Sequence, residues 1–123
     1  MTYQSPIAYA RRETPARSLR SIEYDLIAQV TQRLRSAWAN RAADFPALVA
    51  ALTDNQQLWS TLAADVALPD NGLPAPLRAR LFYLYEFTAQ HSRAVLDRGA
   101  SADVLTDINM AMLRGLRGDG GGR

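Results

Sequence analysis

The side chains able to do acid–base or nucleophilic chemistry are few and poorly placed for it. His91 is the one histidine and there is no cysteine, so this chain supplies no cysteine nucleophile, thiolate metal site or disulfide framework. Acid–base and nucleophilic sites set a base beside a reacting group. His91 instead falls at the rim of an apolar helical face and reads as a structural or exposed histidine. No His-x-x-x-His or Glu-x-x-His spacing offers ligands for zinc or a di-iron pair. The glycines gather in Gly118 and Gly120-Gly121-Gly122, without the lysine and following helix of a phosphate loop. The expectation is a non-enzyme: no catalytic residue, no cofactor-binding residue and no metal ligand.

The informative residues are polar groups set inside apolar stripes, and aromatics. Glu23 lies within the stripe of Leu19, Ile22, Leu26 and Val30, where an unpaired buried carboxylate would cost several kcal/mol. Arg78, Arg80 or helix-end N–H groups are its expected partners; a contact to another protein is the alternative. Asn55 shares a face with Leu48, Trp59 and Leu62, where an Asn can fix helix register or mark a bend between two half-helices. Trp59 reads as core with its N–H finding one acceptor, or else as an exposed anchor. Tyr83, Phe87 and Ala94 make a second stripe on their helix, which a fourth helix covers or a partner does. Tyr24, Trp59, Tyr83 and Phe87 are the candidate partner-contacting residues, with Glu23 and Asn55 as structural polar residues in apolar faces.

Four helices must position these groups. Thr14 caps the first, with Pro15 at its first position, and Leu19, Ile22, Leu26, Val30, Leu34 and Ala37 keep helical spacing to about Asn40. Asp44 caps the second, with Pro46 in its first turn, and Leu48, Leu52, Trp59, Leu62 and Val66 share a face. It ends at Leu68-Pro69-Asp70-Asn71-Gly72, where Asn71-Gly72 is expected to supply positive φ angles. Pro74 and Pro76 seed the third, which runs to about Arg98 and stops at Gly99 as a left-handed cap. Its Leu81–Phe87 run is apolar on nearly every side, which predicts a central hub. Ser101 caps the fourth, with Val104, Leu105, Ile108, Met112 and Leu116 on one face, before the tail glycines break the pattern. No period-two alternation persists, so no strand is expected.

Length and composition agree with one all-α domain. At 123 residues, with 48% hydrophobic and 21% charged residues, the chain has the mixture of a globular protein with a single core. The expected organisation is a compact bundle of about four helices over residues 1–117. Residues 1–13 form a flexible arm carrying Tyr3 and Tyr9, and 118–123 a disordered Gly-rich tail. No segment resembles a secretory h-region or the ~20-residue apolar run of a membrane span, so cytoplasm is the expected location and membrane insertion is not expected. The net charge of +2 does not by itself imply a polyanion partner. The charge is uneven, however. Residues 1–41 hold Arg11, Arg12, Arg17, Arg20, Arg33, Arg35 and Arg41 against Glu13, Glu23 and Asp25. Arginine forks bind RNA phosphates, but sequence-reading of RNA wants aromatic platforms. A solvated basic arm is the preferred reading, with nucleic acid as the lesser one.

Several fragments, in order, resemble one family: Thr14-Pro15, Glu23-Tyr24, Asn55-Gln56-Gln57-Leu58-Trp59, Leu62-Ala63-Ala64-Asp65, Pro69-Asp70-Asn71, Leu73-Pro74, Leu77-Arg78-Ala79 and Asp107-Ile108-Asn109. Together they look like FlaF, over roughly Tyr3 to Leu116. The resemblance implies a regulator of flagellar biosynthesis that acts with a partner regulator, FlbT, and binds flagellin as a secretion or translation chaperone or adaptor. It implies no catalytic residue and no cofactor. The alternative function is an RNA-binding post-transcriptional regulator of flagellin mRNA, working through the Arg-rich N-terminal region.

Overall fold

The computed structural model describes the backbone of residues 15–120 and the side-chain environments of residues 24–115. The expectations placed on Thr14, Tyr3, Tyr9, the arm, Glu23 and residues 121–123 lie outside those limits. Four helices make up the described chain: α1 (Pro15–Ala39), α2 (Phe45–Val66), α3 (Ala75–Arg98) and α4 (Asp103–Gly120). No strand occurs among the described residues.

The ends follow local backbone chemistry. Asp44 Oδ1 accepts from the Ala47 N–H at 3.1 Å, satisfying a first-turn donor of α2. Gly99 closes α3 at φ 70°, a left-handed conformation that glycine adopts without a Cβ penalty. Ser101 Oγ accepts from the Asp103 N–H as α4 begins. The α2–α3 reversal departs from expectation, because Gly99 is the only described glycine with positive φ and Gly72 is not used that way. The Asn71 side chain makes the turn instead. Its Nδ2 donates to the backbone and carboxylate oxygens of Asp65, and its Oδ1 accepts from the Leu73 N–H. Helix α4 also runs past its expected end, through Gly118 to Gly120; glycine costs a helix about 1 kcal/mol per residue but keeps the N–H that the ladder needs. Helix α2 is continuous from Phe45 to Val66, with no break at Asn55.

Short links make sequential helices antiparallel neighbours. Close backbone approach joins α1 to α2, α2 to α3 and α1 to α4, whereas α3 and α4 touch sparsely and neither diagonal pair approaches. The predicted hub is therefore wrong. Helix α2 buries nine residues and α3 five, which puts α2 between two close neighbours and α3 at an edge. Small residues explain the difference, since Ala51 and Ala63 on α2 are buried and let flanking backbones come near. The Leu81–Phe87 run, apolar all round, has more apolar face than neighbours, and Phe82 and Tyr83 remain exposed.

The core is cut in two. One cluster gathers Ile27, Val30, Leu58, Trp59, Leu62, Val66, Leu81 and Leu113. The other gathers Leu34, Ala37, Leu48, Ala51, Leu52, Val95, Ala102 and Leu105. On every helix a buried polar residue falls between them: Thr31 on α1, Asn55 on α2, Thr88 and Ser92 on α3, Thr106 and Asn109 on α4.

Candidate partner-binding seam

The polar layer sets the geometry on which the rest depends. Its hydroxyls are satisfied within their own helices: Thr31 donates to Ile27 O, Thr88 to Tyr85 O, Ser92 to Thr88 O and Thr106 to Asp103 O. Its amides reach between helices. Trp59 Nε1 donates to Asn109 Oδ1 at 2.9 Å, and Asn109 Nδ2 donates to Asn55 Oδ1 at 2.7 Å. Both asparagines are 0% exposed and Trp59 is 1% exposed. Helices α2 and α4 are a diagonal pair, so these two bonds join them across the middle of the core. Each bond keeps a buried polar group from a desolvation loss of about 1–3 kcal/mol.

Above and below this layer the bundle closes differently. Among the described residues, Trp38, Ala47 and Ala100 edge the cluster around Leu48, and Arg41 stacks over the Trp38 ring at 3.8 Å. His91 Nε2 donates to Ser101 O at 2.8 Å, tying α3 to the link before α4 at the same end. The cluster around Trp59 is edged by large side chains that are only partly covered: Tyr24 on α1, Leu77, Leu84 and Tyr85 on α3, and Ile108, Met110 and Met112 on α4. Helices α3 and α4 touch sparsely. Leu77 and Leu84 on α3, with Ile108 and Met112 close together on one face of α4, are the half-buried apolar groups of this sparse α3–α4 seam, and the Met side chain is flexible enough to refit its surroundings.

The candidate residues do not converge on one surface. Tyr24 is half-buried at the edge of the Trp59 cluster. Trp59 itself is sealed, and its N–H finds one acceptor, so its surface is not open to a partner. Tyr83 is 63% exposed; α4 does not cover it. Phe87 is half-buried and stacks on His91, with ring centroids 5.6 Å apart. Asn55 is buried and accepts from a side-chain amide, that of Asn109, and α2 runs through it without a break. Arg78, offered as a partner for Glu23, donates from Nε to Leu73 O, and Arg80 is exposed. Sequence reasoning missed Asn109, Tyr85, Met110 and Met112. Asn109 carried a signal, for it lies four residues past Leu105 and beside Ile108 on an apolar stripe, the same anomaly that singled out Asn55.

Fold and seam together define a small all-α protein among the described residues, four antiparallel helices about a core crossed by a polar layer, with half-covered apolar groups edging the Trp59 cluster. Residues 5–116 match the model of the family described as flagellar protein FlaF. The chain belongs to that family. No curated protein and no solved structure matches it. The fragments that carried the resemblance meet in space: Asn55, Trp59 and Asn109 form the diagonal bridge, and Asp65, Asn71, Leu73 and Arg78 hold the α2–α3 turn. No helix among the described residues is long and apolar enough to cross a membrane.

Proposed function

We propose that this FlaF-family protein binds flagellin in the cytoplasm as a non-catalytic chaperone or adaptor, taking an apolar helical segment of the unassembled subunit along the α3–α4 seam. The carrying observation is the seam itself: Leu77 and Leu84 on α3 and Ile108 and Met112 on α4 stay half-buried on two helices that touch sparsely. An amphipathic helix laid in such a groove presents anchors at i, i+3, i+4 and i+7. Covering an apolar face of flagellin would hold back premature polymerisation and keep the subunit fit for export or for feedback on its synthesis. A FlbT-type regulator is a natural second partner, either displacing flagellin or binding the complex.

Retention of purified flagellin by the immobilised protein at micromolar concentration tests this. Leu84→Gln with Met112→Gln should abolish retention while helicity is kept, because Gln is a good helix former and both sites are only half-buried. Undiminished retention by that variant would place the contact elsewhere. Binding to flagellin mRNA that collapses as salt rises, with no retention of flagellin, would favour phosphate contacts from the arginines over apolar burial.

A further inference from the structure

We propose that Asn71 is a site of spontaneous deamidation in the folded protein, and that the change releases the clasp its side chain makes on the α2–α3 turn. Asn71 is followed by Gly72, whereas Asn40, Asn55 and Asn109 precede arginine, glutamine and methionine. Glycine has no Cβ to screen its backbone nitrogen from the side chain before it. The site is also open. Asn71 is half-buried and Gly72 exposed, and a Cβ built on Gly72 would meet nothing within 4 Å. The bonds of the clasp prepare the amide for attack. Leu73 N–H donates to Asn71 Oδ1 at 3.0 Å, which draws charge from Cγ and stabilises the oxyanion that forms there. The leaving nitrogen, Nδ2, is held by two oxygens of Asp65 at 3.2 Å, so the amide plane is fixed. Among the described residues no backbone hydrogen bond occupies the Gly72 N–H.

The Gly72 amide gives its proton to solvent hydroxide and its nitrogen bonds to Asn71 Cγ. The Cγ–Nδ2 bond then breaks, and Nδ2 takes a proton from water and leaves as ammonia. Water opens the resulting cyclic imide at either carbonyl, giving aspartate or, with the main chain rerouted through the side-chain carbon, isoaspartate. The sum is water in and ammonia out, with no oxidant or reductant. Both products undo the clasp. An ionised carboxylate only accepts, so both donations to Asp65 are lost and two carboxylates face each other. Isoaspartate also adds a carbon to the main chain just ahead of Leu73. Leu73 is the residue that the clasp positions: Asn71 holds its N–H, Arg78 holds its carbonyl, and its side chain, with that of Leu77, edges the Trp59 cluster. Deamidation therefore loosens the turn beside that cluster as a copy of the protein ages. The inference is independent of flagellin binding, which neither peptide mass nor unfolding midpoint reads.

The test is incubation of the purified full-length protein at mildly alkaline pH, well below its unfolding temperature, followed by peptide mapping by mass spectrometry. Asn71 should convert first, ahead of the exposed Asn40, with isoaspartate the major product and a rate that rises with pH. Gly72→Ala should suppress the conversion and keep the thermal midpoint, because Gly72 needs no positive φ and has room for a methyl group. Asn71→Asp carries the simpler product from the start and should lower that midpoint by about 4 °C. Asn71 left intact while Asn40 converts, conversion seen only in urea, or undiminished conversion in Gly72→Ala would each overturn the site. An Asn71→Asp midpoint equal to that of the unaltered protein would overturn the clasp.

Discussion

On one side of the polar layer the core is built from Leu34, Leu48, Leu52 and Leu105 with Ala37, Ala51 and Ala102 filling the gaps, while Phe45, Val49, Leu96 and Val104 at the same end are exposed. On the other side Trp59 stands among Ile27, Leu62 and Val66, and a ring of Tyr, Leu, Ile and Met around it is only partly covered. The two halves hold the same number of buried cluster residues, so the difference is in their margins. Small residues let backbones close together and finish a core; a bulky indole with long flexible neighbours holds helices apart and leaves an edge. The two halves therefore differ in what lines their edges, small residues on one side and long flexible ones on the other, while each leaves some apolar surface exposed.

The sharpest way to break that contrast is at Trp59. Trp59→Ala should cost about 3–5 kcal/mol in denaturant unfolding, and a loss below 1 kcal/mol would mean that this half is already loosely packed. Next in size is the bridge. Asn109→Ala strands the Trp59 N–H and the Asn55 carbonyl oxygen and should cost about 2–4 kcal/mol, with strong non-additivity against Asn55→Ala in a double-mutant cycle. Simple addition of the two losses would show that the asparagines act separately. In the half around Leu48, Ala51→Leu should cost about 1–3 kcal/mol by overpacking. At the open edge Met112→Leu should cost less than about 1 kcal/mol, and equal costs at the two positions would erase the distinction between the halves. Smallest of all, Tyr83→Ser should move stability by no more than about 0.5 kcal/mol; a larger loss in thermal unfolding would reveal packing on the outer face of α3.

Much of the helical layout was legible because its signals are local. Pro15, Asp44 and Gly99 each act on backbone groups within a few residues, and the helix boundaries fall beside them. The α2–α3 reversal was placed correctly but assigned to the wrong group, since a side-chain amide and a glycine backbone are equally good turn signals in Asn71-Gly72. Asn55 and Trp59 showed that each needed a partner, yet the partner stands some 50 positions along the chain, and periodicity has no reach of that length. The position of α3 was misread for a related reason. An all-round apolar pattern tells how much surface a helix could bury, while the number of neighbours available to cover it depends on how closely the other three approach one another.

The diagonal bridge also has a sense of travel. An indole nitrogen can only give its proton, so Asn109 must turn its oxygen toward Trp59 and its NH2 toward Asn55, and Asn55 must answer with oxygen. Both amides are thereby oriented by a residue that has no choice. Sliding α4 by one turn would set Leu105 or Leu113 where Asn109 stands and leave the Trp59 N–H and the Asn55 oxygen without a partner in the middle of the protein, so the bridge forms at a single height of the last helix.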